Sequence, residues 1–205
     1  MTSLPDNILH LPEYHVLATK MEEHDLHYQV EAPEPLACEE CGVESEFVRF
    51  GKRDVAYRDL PIHGKRVTLW VVRRRYTCRA CGRTFRPALP EMVDDHRMTR
   101  RLYNHVEKEA FNHPYAYVAD TTGLDEKTVR EIFKKKAEFL AAWHRFETPR
   151  CLGIDELYLN RRYRCILTNL EERTLLDLLP GRQQDAVTRR LMSMTERHQV
   201  EIVSM

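Results

Sequence analysis

The pattern of apolar and polar positions divides the chain into three stretches. Near the start, Tyr14 to Lys20 and Leu26 to Glu31 each have strand character, and the polar stretch Glu22 to Asp25 can join them as a hairpin. Lys65 to Tyr76, KRVTLWVVRRRY, is dense in β-branched and aromatic residues and predicts another strand. Pro87 and Pro90 punctuate the end of this β-rich stretch. From about Arg97 to Phe146 the period becomes helical. Met98, Leu102, Val106 and Ala110 recur at spacing four and form one apolar stripe. Pro114 suits the first turn of a second helix, Gly123 ends it, and Asp125 can cap a third. In the third helix Val129, Ile132, Phe133, Leu140 and Trp143 predict a core-facing stripe. Thr148-Pro149 reads as a linker. Beyond it come three strand-like runs, Cys151 to Leu159, Tyr163 to Leu170 and Leu175 to Leu179. A helix over Gln184 to Arg197 and a fourth strand over Val200 to Val203 follow.

Charge changes this picture, because a formal net charge of zero hides strong segregation. Between Met1 and Glu46 the only Lys or Arg is Lys20, against a run of acids from Asp6 to Glu46. Between Phe47 and Arg86 the only acids are Asp54 and Asp59, among many Arg and Lys that include Arg73, Arg74 and Arg75. A block of one sign on a small module is the electrostatic footprint of a polyanion binder; the alternative is a solvated face balanced by the acidic segment before it. No apolar run approaches the roughly 20 residues that a membrane span needs. The start, MTSLPDNILHLPEYH, lacks the basic and apolar stretches of a secretory signal. A cytoplasmic protein with reduced cysteines, and no membrane partner, is the expectation.

Cys38-x-x-Cys41-Gly and Cys78-x-x-Cys81-Gly form the strongest local signal. Each pair spans a tight turn, with Gly42 and Gly82 free to take the positive φ that wraps a metal. Four thiolates complete a tetrahedral structural Zn²⁺ and leave no open position for catalysis. The gap between the pairs exceeds the compact pattern of about 15–20 residues and can be filled by strands, as in a zinc ribbon. Redox pairs and unligated buried thiols are the alternatives, and the flanking glycines and the lack of a βαβ context disfavour the first. Cys151 and Cys165, on predicted strands, read as core residues. His24-x-x-His27 reads as part of an exposed hairpin rather than a second metal site.

Helix, helix, glycine turn, helix is the outline of a helix-turn-helix, although a plain three-helix bundle shares it. Val118-Ala119 would pack under the turn made by Gly123, and Val129 would anchor the third helix. Asp125, Glu126, Lys127, Thr128 and Arg130 would then sit at the start of a recognition helix, where base contacts are made. Lys134, Lys135 and Lys136, with Arg73, Arg74 and Arg75, would reach phosphates.

The order of these motifs resembles one family, the ISL-three family of bacterial insertion-sequence transposases in the DDE superfamily. The likeness rests on Cys38-x-x-Cys41-Gly, Tyr57-Arg58-Asp59-Leu60-Pro61-Ile62 and Arg73-Arg74-Arg75-Tyr76-Thr77-Cys78. It continues through Val118-Ala119, Gly123-Leu124, Lys127-Thr128-Val129, Leu152-Gly153-Ile154-Asp155-Glu156 and Leu179-Pro180-Gly181-Arg182. The fold expected is multi-domain α+β. A zinc-ribbon-like β module occupies 1–90, a helix-turn-helix module 91–148, and the start of a ribonuclease-H-like α/β domain, truncated, 149–205. The resemblance implies that Asp155 is the first catalytic carboxylate, with Glu156 on the opposite strand face. It implies further carboxylates beyond Met205, about half of a full-length member, and two catalytic Mg²⁺ ions in the complete protein. The partner implied is double-stranded DNA, the terminal inverted repeats of the element, met at the bacterial nucleoid. The chain alone is expected to bind DNA without cutting it. The exposed edge of Val200 to Val203 leaves homo-oligomer formation open. The alternatives are a non-catalytic zinc-containing DNA-binding protein, a regulator or competitor, and a zinc-stabilised protein–protein adaptor.

Overall fold

A computed structural model describes residues 9–44, 46–144 and 146–205. The first eight residues, which begin the MTSLPDNILHLPEYH segment and include Asp6, lie outside the described residues, as do Ser45 and Arg145. The chain divides into two compact units, Met1–Leu140 and Ala141–Met205. The segments 1–90 and 91–148, set apart by sequence, therefore share one unit up to Leu140.

The longest strand of the first unit is one that periodicity left unassigned. β3 (Phe47–Ile62) and β4 (Lys65–Cys78) form a hairpin of 16 and 14 residues. His63 and Gly64 turn it with φ of 52° and 74°, the double positive φ of a type I′ turn. β1 (His15–Met21) and β2 (Asp25–Glu31) make the expected antiparallel hairpin. β2 then runs parallel to β4, so the sheet order is β1-β2-β4-β3, continued by the short β7 (Met98–Thr99) and β6 (Met92–Val93). β5 (Thr84–Phe85) pairs with the far end of β4.

This hairpin serves two cores on opposite faces. Near its turn the odd-numbered Val67, Leu69 and Val71 of β4 are buried with Val55 and Tyr57 of β3, against Leu9, Leu11, Tyr14, Tyr28 and Val30. At its far end the buried residues are the even-numbered Tyr76 and Cys78, with Cys38 and Phe85. Alternation alone puts these two sets on opposite sides. On β3 the switch is made by a bulge. Arg49 opposes Tyr76 and Gly51 opposes Arg75, so Phe50 is the extra residue. The shifted parity lets Phe47, opposite Cys78, join the second core.

One of the two acids in the basic block has a structural task. Asp59 is fully buried, and its Oδ1 accepts hydrogen bonds from Thr99 Oγ1 at 2.7 Å and Arg101 Nε at 2.7 Å. Arg101 also binds Oδ2 and donates to the Leu9 carbonyl at 2.7 Å. The pair fixes β3 to α1 (Arg100–Glu109). Thr99 caps that helix, accepting from the Leu102 amide. α2 (Tyr115–Thr122) starts after Pro114 and ends at Gly123, which is left-handed at φ 72°. α3 (Glu126–Trp143) begins under Asp125, whose Oδ1 accepts from the Thr128 amide at 2.8 Å. Met98, Leu102, Val106, Ala110, Val118, Ala119, Val129 and Ile132 form the helical core, with Phe133 packed at its edge. The expected stripe does not continue. Leu140 is 46% exposed and Trp143 73%, because the 18-residue α3 runs past the ten-residue α1 and eight-residue α2 that would cover it.

The second unit is a four-stranded sheet ordered β10-β9-β8-β11. β8 (Cys151–Leu159), β9 (Arg162–Asn169) and β10 (Thr174–Leu178) form an antiparallel meander; β11 (Ile202–Ser204) returns parallel to β8. The helix expected to reach Arg197 stops earlier: α4 spans Gln184–Met192, and Glu196, left-handed at φ 55°, leads into a 3₁₀ turn over Arg197–Gln199. Val187 and Leu191 of α4 pack on Leu152, Ile154, Leu167 and Leu176. Cys151 and Cys165 are buried, as expected of core residues. Among the described residues, no helix is long and apolar enough to cross a membrane.

Candidate metal centre and nucleic-acid interface

The two cysteine turns are built alike. The Gly42 amide donates to the Cys38 carbonyl at 2.8 Å, and the Gly82 amide to the Cys78 carbonyl at 3.0 Å. The turns close through Cys38 N to Val43 O at 2.9 Å and Cys78 N to Arg83 O at 2.8 Å. Gly42 and Gly82 take φ of 75° and 71°, the left-handed geometry that wraps each turn around its thiols. The four Sγ atoms all lie within 4.8 Å of one another. Cys38 and Cys81 are 3.9 Å apart, and Cys41 and Cys78 are 3.7 Å apart. A tetrahedral Zn²⁺ with arms of about 2.3 Å needs edges of about 3.8 Å, so the donor set fits zinc. The Cys81 amide leads in drawing the Cys78 thiol down to about 7, helped by Ala80 against the cost of burial. Phe47, Tyr76 and Phe85 floor the site, Phe47 edge-on to the other two at 5.5 and 5.8 Å. His24-x-x-His27 joins no such cluster among the described residues; His27 Nδ1 accepts from Trp70 Nε1 at 3.3 Å.

The arginine run that leads into Cys78 is less uniform than it reads. Arg73 is tied to Asp94 at 2.8 Å and donates to the Tyr57 hydroxyl at 3.1 Å. Arg74 is paired with Glu31, whose carboxyl it holds below the usual range. Arg75 instead lines an open cavity of about 280 Å³ with Phe50, Gly51, Lys52, Arg53, Arg73 and Arg86. Arg53 and Arg86 belong to the same basic block, and nothing in their local sequence sets them apart. The bulge that collects them has no period-2 signature.

On α3, Lys127 is well exposed and lies 3.8 Å from Glu131. Thr128 donates its hydroxyl to Asp125 at 2.9 Å. Arg130 is exposed, with its guanidinium 5.9 Å from the Tyr115 ring. Lys134 pairs with Glu138 at 3.7 Å, Lys135 is exposed, and Lys136 is held by Glu107 at 3.1 Å. The glycine turn before this helix sits on Arg66, since a Cβ at Gly123 would meet its Cδ at 2.8 Å.

In the second unit Asp155 is exposed at mid-strand on β8. Its Oδ1 accepts from the Glu156 amide at 2.7 Å. Because Leu152 and Ile154 face α4, alternation sends Asp155 to the other side of the sheet. Glu156 turns the opposite way and pairs with Arg182 at 2.7 Å. Among the described residues, Asp155 belongs to no group of three or more metal-capable side chains.

Two protein families match the chain. One, described as the zinc-finger of transposase IS204/IS1001/IS1096/IS1165, covers residues 34–81. The other, the ISL-three transposase domain of DDE type, described as transposase, covers residues 152–205. No curated protein and no solved structure matches.

Proposed function

We propose that this chain, which belongs to the ISL-three family of transposases, is a DNA-end-binding part of its enzyme and holds the terminal inverted repeats of an insertion sequence at the bacterial nucleoid. The observation that carries the reading is the cluster of four cysteine thiols, spaced to hold zinc, at the root of a basic hairpin and within the stretch matched to a transposase zinc finger. α2, the Gly123 turn and α3 act as a helix-turn-helix in this reading. Lys127, Thr128 and Arg130 face bases, and Lys134 and Lys135 face phosphates.

The sheet of the second unit supports a catalytic role for Asp155 in a complete enzyme. Three antiparallel strands, a helix and a parallel return beside the first strand are the order expected of a ribonuclease-H-like domain, with Asp155 on the central strand away from α4. Asp155 alone does not fit a Mg²⁺ site, which needs several anionic oxygens from carboxylates or substrate phosphates. The role proposed for this chain is therefore DNA binding. A second reading, a DNA-binding competitor or regulator without catalysis, is favoured by the one metal-capable cluster among the described residues being all cysteine.

Both are tested by mixing the purified chain with labelled duplexes carrying terminal-repeat or scrambled sequence, in Mg²⁺ or Mn²⁺. Preferential binding of the repeat without nicking is expected. Specific nicking that disappears in Asp155→Asn would mean that the site is completed in some other way. Equal binding of both duplexes would remove the repeat-recognition claim.

A further inference from the structure

Five of the twelve cations in the basic block are neutralised from within. Arg49 pairs with Glu34, Arg66 with Asp25, Arg73 with Asp94, Arg74 with Glu31 and Arg83 with Glu40. Seven cations of the block have no such pair among the described residues, and four of the seven gather around one cavity. Among the described residues, no carboxylate lies within ion-pair distance of Lys52, Arg53, Arg75 or Arg86. Arg53, Arg75 and Arg86 line the same 280 Å³ cavity, on the side of the hairpin opposite the zinc core. The β3 bulge makes the cavity. Gly51, at φ 141°, has nothing within 4 Å of where a Cβ would stand, so its floor is open, and the displaced Phe50 forms an exposed rim. Arg75, then Arg53, push the Arg86 guanidinium below its usual value, the mark of cations repelling one another. Holding like charges together unpaired is unfavourable unless an anion arrives, and guanidinium groups suit a phosphodiester because they can bind it through two parallel hydrogen bonds.

We propose that this bulged end of the hairpin is a phosphate-binding pocket for the backbone of duplex DNA, in which Arg53, Arg75 and Arg86 grip the phosphate and Lys52 lies at its edge. The inference rests on the DNA-binding reading above and adds a contact surface distinct from α3. It reassigns the phosphate role within the arginine run: Arg75 keeps it, while Arg73 and Arg74 hold the sheet together. Such contacts position the protein without reading sequence.

The test titrates the full zinc-loaded chain against a fluorescent terminal-repeat duplex over a range of salt. It compares native protein with Arg86→Gln, the Arg53→Gln/Arg75→Gln/Arg86→Gln triple variant, and Arg83→Gln as a single-charge control outside the pocket. Zinc content and melting temperature establish that each is folded; if the triple variant is not, Arg86→Gln decides. Arg86→Gln should weaken binding roughly tenfold and flatten the log–log salt slope by about 0.9, with about the same loss for each further contact in the triple variant. Preference for the repeat over scrambled duplex should not change, and Arg83→Gln should behave as native. Native affinity and slope in the folded variants, with a native chain that does bind duplex, overturn the pocket and leave the DNA-binding reading standing. A native chain that binds no duplex overturns that reading itself. Tighter binding of single-stranded RNA, or displacement of duplex by micromolar pyrophosphate at matched ionic strength, each lost in the triple variant, would overturn the choice of a DNA backbone.

Discussion

The two units handle their metal-capable side chains in opposite ways. The first gathers four thiols from positions up to 43 residues apart into one closed set. The second disperses its acids: Glu156 goes to Arg182, Asp177 to Arg190, Glu171 to Arg150, and Asp155 to its neighbour's amide. A closed thiolate set can supply folding energy to a small β module. Exposed arginine–carboxylate pairs are worth at most about 1 kcal/mol each, so the second sheet relies on its apolar core of Leu152, Leu167, Leu176 and Leu179. The first unit is therefore expected to depend on metal and on buried ion pairs, and the second on neither.

The largest effect should come from Cys78→Ser. Structural zinc sites are worth about 10–16 kcal/mol of binding energy, and the hairpin's far end has only a small aromatic cluster besides. Elemental analysis should find about one zinc per native chain and none in the variant. Hydrogen exchange should show amides of Phe47–Gly51 and Tyr76–Phe85 losing protection while those of β8 and β9 keep it. Loss of protection in both units would break the contrast.

Next is Asp59→Ala. Removing one partner of a buried pair leaves the other uncompensated and costs about 3–5 kcal/mol. Denaturant melts of the first unit should move by that amount. A change below about 1 kcal/mol would show that Arg101, partly exposed, finds water instead.

A smaller effect separates the units by pH. Arg74 holds Glu31 below its usual range, and Arg66 does the same for Asp25. Asp94 is opposed by burial but ends lowered through Tyr57 and Arg73. Depressed carboxyls contribute stability that is fully present above their unfolded values, about 3.9 for Asp and 4.3 for Glu, and is lost as pH falls through the folded values. The first unit should thus weaken from about pH 5 downward. Asp94→Asn should flatten part of that slope, and zinc release in acid cancels in the difference. Parallel slopes for native and variant would argue against the Asp94 contribution.

Smallest of all should be Asp155→Asn. The residue is exposed and without an ion pair among the described residues, so stability should move by no more than about 0.5 kcal/mol. Duplex affinity should match the native chain. A large loss of stability would mean that Asp155 is structural.

What could be read in the residues was local. The two C-x-x-C-G turns, the helix caps at Asp125 and Gly123, and the strand runs beginning at Cys151 each carry their geometry in a few adjacent positions. β3 was hidden because Arg49–Asp54 is exposed and, apart from Phe50 and Gly51, charged, and because the Phe50–Gly51 bulge breaks the two-residue period just where the hairpin changes cores. Leu140 and Trp143 keep the helical spacing but stay exposed, which spacing cannot report.

Sequence alone carried the paired cysteine turns, the caps at Asp125 and Gly123 and the order of the motifs, since each depends on short-range spacing and residue type. Only the tertiary structure decided which arginines remain available. Arg73, Arg74 and Arg75 are adjacent and chemically identical, yet Asp94 takes the first, Glu31 takes the second, and the bulge opens the third to a cavity. Those acids lie about 20 and 43 positions away in the chain, with Glu31 43 residues from Arg74. Neutralisation depends on distance in space, and no local pattern encodes it.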